Sequence, residues 1–367
     1  MISPRVMRAL AAPMLGHLDP DLMAMTDEMR GQLRRLFRAP EGTFAFAVSG
    51  TGTSGLEATV ANLVGEETRV LAVVTGYFGD RLAQVCQRYG GAVERLDVEW
   101  GRAVDPAKVR AALAAARADV VCVVHAETST GVRNPVAEVA KAAHEAGALV
   151  IVDAVTSLGG HPFEMAQWGI DAAYSCTQKC VGAPSGLAPV AFAPSALARR
   201  VACRSFYFDI GLLEDYWVRR KYHHTMSASL VYALHEALTA IEEEGLEARW
   251  ARHERHHRAL AAGLSAMGLG LLPPEAERLW TLNAVTVPAG VDEAQVRKDL
   301  LARFNMEVGS GLGPLAGRIW RVGLMGHSSS PQALLLFLGA LESVLGLQGH
   351  RVPAGAGTAA AIEALRG

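Results

Sequence analysis

The sequence has no C-x-x-C pair, and its five cysteines (Cys86, Cys122, Cys176, Cys180, Cys203) form no regular framework. An odd, scattered set excludes a disulfide scaffold and fits a reducing compartment. Cys176 and Cys180 are four positions apart, but no second Cys or His pair completes a zinc set; no metal is expected. Charge of one sign is equally scarce. The 35 basic residues are matched by 37 acidic ones, with no long like-charge run, which argues against non-specific nucleic-acid binding. The basic patch Arg249, Arg252, His253, Arg255, His256, His257 and Arg258 falls in a helical stretch and reads as a solvated helix face. No apolar run approaches the ~20 residues that span a bilayer. The opening MISPRVMRALAAPML carries two arginines and no acid before Asp19, as a targeting peptide would. Pro4 and Pro13 interrupt it, so it reads as part of a folded protein of the cytoplasm.

What the chain does have is core-forming material. It is 367 residues long and half hydrophobic, enough for a large domain with a smaller one, or for two comparable domains. Short apolar runs at 44–48, 70–75, 120–125 and 148–154, with an alternating one at 92–98, are separated by stretches of helical composition. Unbroken apolar strands between helices predict an α/β fold with a parallel sheet covered on both faces. Asp105-Pro106 predicts a helix start, and Gly147 the end of the helix that begins at Pro135. Beyond Tyr222 the texture changes. One long helical region is expected from about Ser229 to Met267, with a domain boundary inside it. Strands at 283–288 and 318–324, and helices at 292–303 and 331–345, then predict a smaller α+β unit.

Gly50, Gly52 and Gly55 spell G-x-G-x-x-G between a predicted strand and helix, the fingerprint of a dinucleotide site. In such a site the second strand should end in an acid that holds the ribose, whereas VLAVVT ends in Thr75-Gly76. A phosphate cradle at a helix N-terminus, helped by Thr51, Thr53 and Ser54, fits better; a plain tight turn is the alternative. Asp153 closes the apolar run ALVIVD, where α/β sheets place ligand-binding groups. Lys179 follows 26 residues later in SCTQKCVGAPSG, a small, polar segment unlike an amphipathic surface helix. Phosphate donors, an anion and an amine are what pyridoxal phosphate requires. The anion keeps its pyridine nitrogen protonated, and the amine can hold the aldehyde and move a proton.

The motifs SGTGTSGLEA, TGYFGDR, HAETSTGVRNP, IVDAVTSLGG, TQKCVGAPSGLA, YHHT and RVGLMGH resemble, in order and spacing, those of alanine–glyoxylate and serine–pyruvate aminotransferases. These are class V, fold-type I pyridoxal-phosphate enzymes. The resemblance implies a mainly parallel seven-stranded sheet in a large domain, placed at 21–250 after an N-terminal segment 1–20. A smaller α+β domain would occupy 251–367. It further implies that Lys179 carries the cofactor covalently and that Asp153 pairs with the ring nitrogen. Val155 and Phe78 would face the two sides of the ring, and Thr128 its phenolic oxygen. Gly52, Thr53 and Gln178 would hold the phosphate, joined by Tyr222 and Thr225 of a partner subunit. Arg321 would bind the substrate carboxylate. The implied activity moves the amino group of alanine or serine to glyoxylate or pyruvate in a homodimer with shared sites.

The sequence departs from that pattern in three places. It opens MISPRVM, without the Gly-Pro-rich segment that relatives fold over the site. Ser227 stands where YHHT-x-P has proline, and Val181 and Ser185 differ near the lysine. No cysteine follows Cys203, which argues against the cysteine desulfurases of the same class. Aminophosphonate or pyridoxamine specificity and a nicotinamide-dependent dehydrogenase remain as alternative readings.

Overall fold

The structure, a computed structural model, describes residues 1–366. The apolar runs become strands of one sheet: β1 (Phe44–Gly50), β2 (Arg69–Val74), β3 (Ala92–Asp97) and β4 (Val120–Val124). A short antiparallel pair, β5 (Ala126–Glu127) and β6 (Val132–Arg133), follows. The sheet then continues with β7 (Leu149–Asp153), β8 (Ala172–Tyr174) and β9 (Gly186–Phe192). Its order is β1-β9-β8-β7-β4-β2-β3; β9 alone runs against the rest. This is the mainly parallel seven-stranded α/β sheet expected.

The central strands β4 and β7 are buried at every residue, as continuous Val/Ile/Leu sequence requires when both faces are covered. The outer strand β3 is largely exposed. Its Arg95 is tied to Asp80 and Asp97, charges that discourage pairing with another sheet edge.

Helices α1 (Pro4–Leu10) and α2 (Pro20–Leu36) precede the sheet. Between strands lie α3 (Gly52–Leu63), α4 (Tyr77–Arg88), α5 (Pro106–Ala115), α6 (Val136–Glu145) and α7 (Met165–Trp168). Asp105 caps α5 by accepting from the Ala107 amide, and Gly147 turns the chain after α6 at φ 78°. Next come α8 (Pro194–Ala198), α9 (Ile210–Arg219), α10 (Ala228–Glu244) and α11 (Leu246–Ala266). The chain ends with β10 (Leu282–Thr286), α12 (Glu293–Phe304), β11 (Gly309–Ser310), β12 (Ile319–Gly323), α13 (Pro331–Leu347) and α14 (Ala356–Arg366). Strands β10, β12 and β11 form a separate antiparallel sheet. One core runs from Val6 to Ile241 and a second from Ala259 to Ala361. None of the described helices is long and apolar enough to cross a membrane.

Two expectations need correction. The single helical region 229–267 is two helices, α10 and α11, parted where Gly245 takes φ 78°, a left-handed conformation that breaks helix propagation. The basic patch is not a solvated face either. Arg249, His253, His256 and His257 are buried; only Arg255 and Arg258 are exposed. The reason is a seam of backbone carbonyls that helix periodicity cannot reveal. Arg249 donates to the carbonyls of Gly159 (2.8 Å) and Cys180 (2.7 Å), and Arg252 to those of Gly326 (3.1 Å) and Ser329 (2.7 Å). His253 Nε2 accepts from the Gly326 amide at 3.1 Å. Burial pushes His253 down to about 3 and His256 down to about 4, so both stay neutral near pH 7.

Glu244 bridges both arginines. Burial alone pushes its carboxyl up, but bonds and charge from Arg252 and Arg249 outweigh that and hold it below the ordinary range. Glu244→Gln strands a buried guanidinium and should cost about 2 kcal/mol. Urea denaturation at neutral pH checks this; an unchanged midpoint would count against the seam.

Candidate active site

Asp153 ends β7, in register with Val124 of β4 and Tyr174 of β8, at the carboxyl edge where parallel sheets open their ligand crevice. Its carboxylate is buried. Oδ1 accepts from the Val155 amide and Oδ2 from the Tyr174 hydroxyl, each at 2.8 Å. No cation pairs with Asp153 among the described residues. Burial therefore pushes its pKa up to about 7, with the Val155 amide and the Tyr174 hydroxyl opposing the shift. A carboxylate so placed is primed for a cationic ligand.

Lys179 lies in Thr177–Val181, a turn that Gly182 closes at φ 81°. Its own backbone leaves the helical region (φ −102°, ψ −128°). The small and polar composition of this segment lets the chain bend beneath the sheet edge rather than run on as a helix. Thr177 anchors the turn, its hydroxyl donating to the Leu187 carbonyl at 3.1 Å.

The glycine cluster lies between β1 and α3. Glycine at position 52 relieves a tight approach, since a Cβ there would meet Cys176 Cβ at 3.2 Å and Val155 Cγ2 at 3.3 Å. No side chain caps α3, which leaves its first amides facing outward for an anion. β1 sits at the sheet edge and pairs only with the antiparallel β9. A dinucleotide unit starts instead from an inner parallel strand, so this topology removes the dinucleotide reading.

Phe78 is the second residue of α4, and its position depends on Glu127. That buried carboxylate accepts from the amides of Phe78 (3.4 Å) and Gly79 (3.1 Å), and from the Ser129 hydroxyl (2.6 Å). Burial pushes its pKa up, with Ser129 and the two helix amides pulling the other way. Thr128 follows in the tight turn between β5 and β6.

One cavity of about 210 Å³ is lined by Gly52, Thr53, Phe78, Thr128, Asp153, Val155, Gln178 and Lys179. Eight of the expected residues thus converge, from five separate stretches of chain. Arg321 does not line this cavity; it donates from Nε to the Ser310 carbonyl (2.6 Å) and from Nη1 toward the carbonyl of the cavity-lining Thr128 (3.5 Å). It is half-buried and makes no ion pair with a carboxylate among the described residues. Tyr222 and Thr225 do not line the cavity of their own chain. Tyr222 is 62% exposed, and its hydroxyl lies 3.4 Å from Thr225 Oγ1.

Sequence reasoning passed over four residues at this site: Arg81, Glu127, Tyr174 and Cys176. Arg81, Tyr174 and Cys176 line the cavity, and Glu127 stands behind Phe78. Arg81 had a readable signal, since it follows Phe78 by three residues, a spacing that shares one helix face. The others depend on contacts between elements that local sequence does not pair.

Residues 5–316 match the family profile described as aminotransferase class-V. The chain belongs to the class V aminotransferases. It is 37% identical to the (S)-ureidoglycine–glyoxylate transaminase of Bacillus subtilis, over 99% of this chain and 92% of that protein. The solved alanine–glyoxylate aminotransferase of Nostoc sp. superposes with a TM-score of 0.92 at 42% identity, covering 94% of this chain and 92% of that one. The pyridoxamine–pyruvate aminotransferase of Mesorhizobium loti gives 0.95 at 30% identity, covering 100% and 94%. This class V aminotransferase is therefore a transaminase of the fold shared by those enzymes, and the family implies pyridoxal phosphate as cofactor. The donor set fits that cofactor. An amine, an unneutralised carboxylate and an open helix N-terminus face one cavity, where Gly52 packs closely against Cys176.

Proposed function

We propose that this aminotransferase moves the amino group of a small amino acid, alanine or serine, to glyoxylate or pyruvate by a ping-pong route in the cytoplasm. The observation that carries the reading is the meeting of the Lys179 amine and the unpaired Asp153 carboxylate on one cavity. When bound, pyridoxal phosphate supplies an electron sink for charge developing at the substrate Cα and a carbon that takes up the amino group.

The chain's own residues do the rest. Asp153 holds a proton at the pyridine nitrogen, and Lys179 moves one at the substrate Cα. Phe78 and Val155 would enclose the ring, Thr128 would face its phenolic oxygen, and Gly52, Thr53 and Gln178 would hold the phosphate. We assign residues 21–250 to cofactor binding, and residues 251–367 to the unit that brings Arg321 to the substrate carboxylate. The planar guanidinium fork suits a carboxylate in a way an ammonium does not. Arg321→Lys should raise the KM for the amino donor roughly 100-fold with a smaller change in kcat. An unchanged KM would remove Arg321 from the substrate site.

The test of specificity is a matrix of alanine, serine, (S)-ureidoglycine and pyridoxamine as donors against glyoxylate and pyruvate. Transfer from alanine or serine to glyoxylate or pyruvate is the expected result. Glyoxylate turnover with (S)-ureidoglycine alone would place the chain with the Bacillus subtilis relative, and pyruvate turnover with pyridoxamine alone with the Mesorhizobium loti enzyme.

The exposure of Tyr222 and Thr225 supports a homodimer in which each chain completes its partner's phosphate site. Two inactive proteins, Lys179→Ala and the double variant Tyr222→Ala/Thr225→Ala, should regain activity when mixed and allowed to exchange subunits. A mixed dimer has one site with both halves intact. No recovery after verified exchange would contradict shared sites.

A further inference from the structure

We propose that Arg81 is the cation that balances the cofactor's phosphate. The inference rests on the pyridoxal-phosphate reading above and extends it to a residue outside the assigned set.

The argument starts from charge. A phosphate drawn into a cavity keeps close to two negative charges, and burying an anion is costly unless a cation accompanies it. Asp153 adds a further negative charge to the same cavity. The open end of α3 supplies about half a positive charge at most, and the hydroxyls of Thr51 and Thr53 supply none. Lys179 is committed to the other end of the cofactor. Among the cavity-lining residues that leaves one permanent cation, Arg81.

Its geometry fits the task. Arg81 Nη1 lies 3.4 Å from Thr53 Oγ1, which places the guanidinium beside the first turn of α3. The guanidinium carbon stands 5.2 Å from the ring centres of both Tyr77 and Phe78, cation–π contacts that position the group while leaving its N–H donors free. Arg81 makes no ion pair among the described residues. The adjacent acid, Asp80, is already engaged by Arg95 and Gln84. The side chain is only partly exposed. A guanidinium has five donors in a rigid fork matched to phosphate oxygens, and only the contact with Thr53 occupies one here. Because Arg81 also lies against Phe78, it joins the phosphate end of the cavity to the ring-stacking residue.

Comparing pyridoxal phosphate with pyridoxal, which lacks the phosphate, tests this. The dissociation constant of each for the full-length apoenzyme is read from absorbance and fluorescence quenching. Arg81→Gln should weaken pyridoxal phosphate about 30-fold, the scale of a charge-assisted phosphate contact, while pyridoxal changes less than about 2-fold. Arg81→Lys, which keeps the charge and loses the fork, should fall between wild type and Arg81→Gln. Inorganic phosphate should compete with pyridoxal phosphate for wild type more strongly than for Arg81→Gln.

Equal weakening of both compounds would overturn the proposal and make Arg81 a support for Phe78. No weakening of either would overturn it too. Should Arg81→Gln fail to fold by circular dichroism, the Arg81→Lys comparison decides by the same criterion. A wild-type protein that bound neither compound would instead bring down the cofactor reading itself.

Discussion

Lys179→Ala lowers the rate of amino transfer by roughly 10⁴-fold or more, while the protein stays folded. The size follows from the role proposed for the ε-amine. A positioned base moving a proton at carbon contributes up to about 10⁴-fold, and loss of the covalent tether adds to that. The fold tolerates the change because Lys179 takes no part in holding it. The turn around it is anchored by Thr177, whose hydroxyl reaches the Leu187 carbonyl, and by Arg249, which grips the Cys180 carbonyl. Stopped-flow absorbance with alanine as donor measures the effect. A variant within tenfold of wild type would require a different base.

Asp153→Asn has two consequences of opposite sign. Activity falls by about 10³-fold, roughly 4 kcal/mol of transition-state stabilisation, because a neutral amide cannot hold a proton on the pyridine nitrogen. The empty protein, by contrast, becomes more stable above neutral pH. In the folded chain burial raises the Asp153 pKa from 3.8 to about 7. The folded state therefore binds a proton that the unfolded state has released. That contribution to stability is complete below about pH 4 and is lost as the pH rises through 7. Asparagine cannot ionise, so the apo variant should gain on the order of 4 kcal/mol over wild type at pH 8. The gain should shrink toward pH 4. In the proposed role, cofactor binding would supply wild-type Asp153 with its missing cation and should close the gap. Thermal melts of apo and loaded proteins at pH 4.5, 6 and 8 follow all three trends. A pH-independent difference between the apo proteins would show that Asp153 is not the titrating group.

These effects depend on residues of very unequal visibility in the sequence. The sheet was legible because β4 and β7 are written as unbroken runs of buried aliphatic residues, and Asp153 because it closes one of them. Gly52 and Lys179 were legible from their surroundings, a glycine cluster before a helix and a polar turn rich in small residues. Helix α11 was misread for a physical reason. Helical spacing shows which side chains share a face, but not what lies opposite. Here the partners of Arg249 and Arg252 are carbonyls at residues 159, 180, 326 and 329. Gly245 was hidden in the same way, since its neighbours on both sides have helical composition.

Glu127 and Tyr174 show the same limit inside the site. Glu127 acts by collecting amides from a helix that begins 50 residues earlier in the chain, at Tyr77. Tyr174 acts through one hydrogen bond across adjacent strands, to Asp153. Local sequence does not encode either pairing; only the order of strands in the sheet does.

Treating the purified holoenzyme with borohydride, digesting it and mapping the modified peptide by mass spectrometry tests the central claim most directly. The account predicts a phosphopyridoxyl group on the ε-nitrogen of Lys179 and on no other lysine. A label on a different lysine, or a protein that takes up pyridoxal phosphate without any reducible link to Lys179, would contradict it.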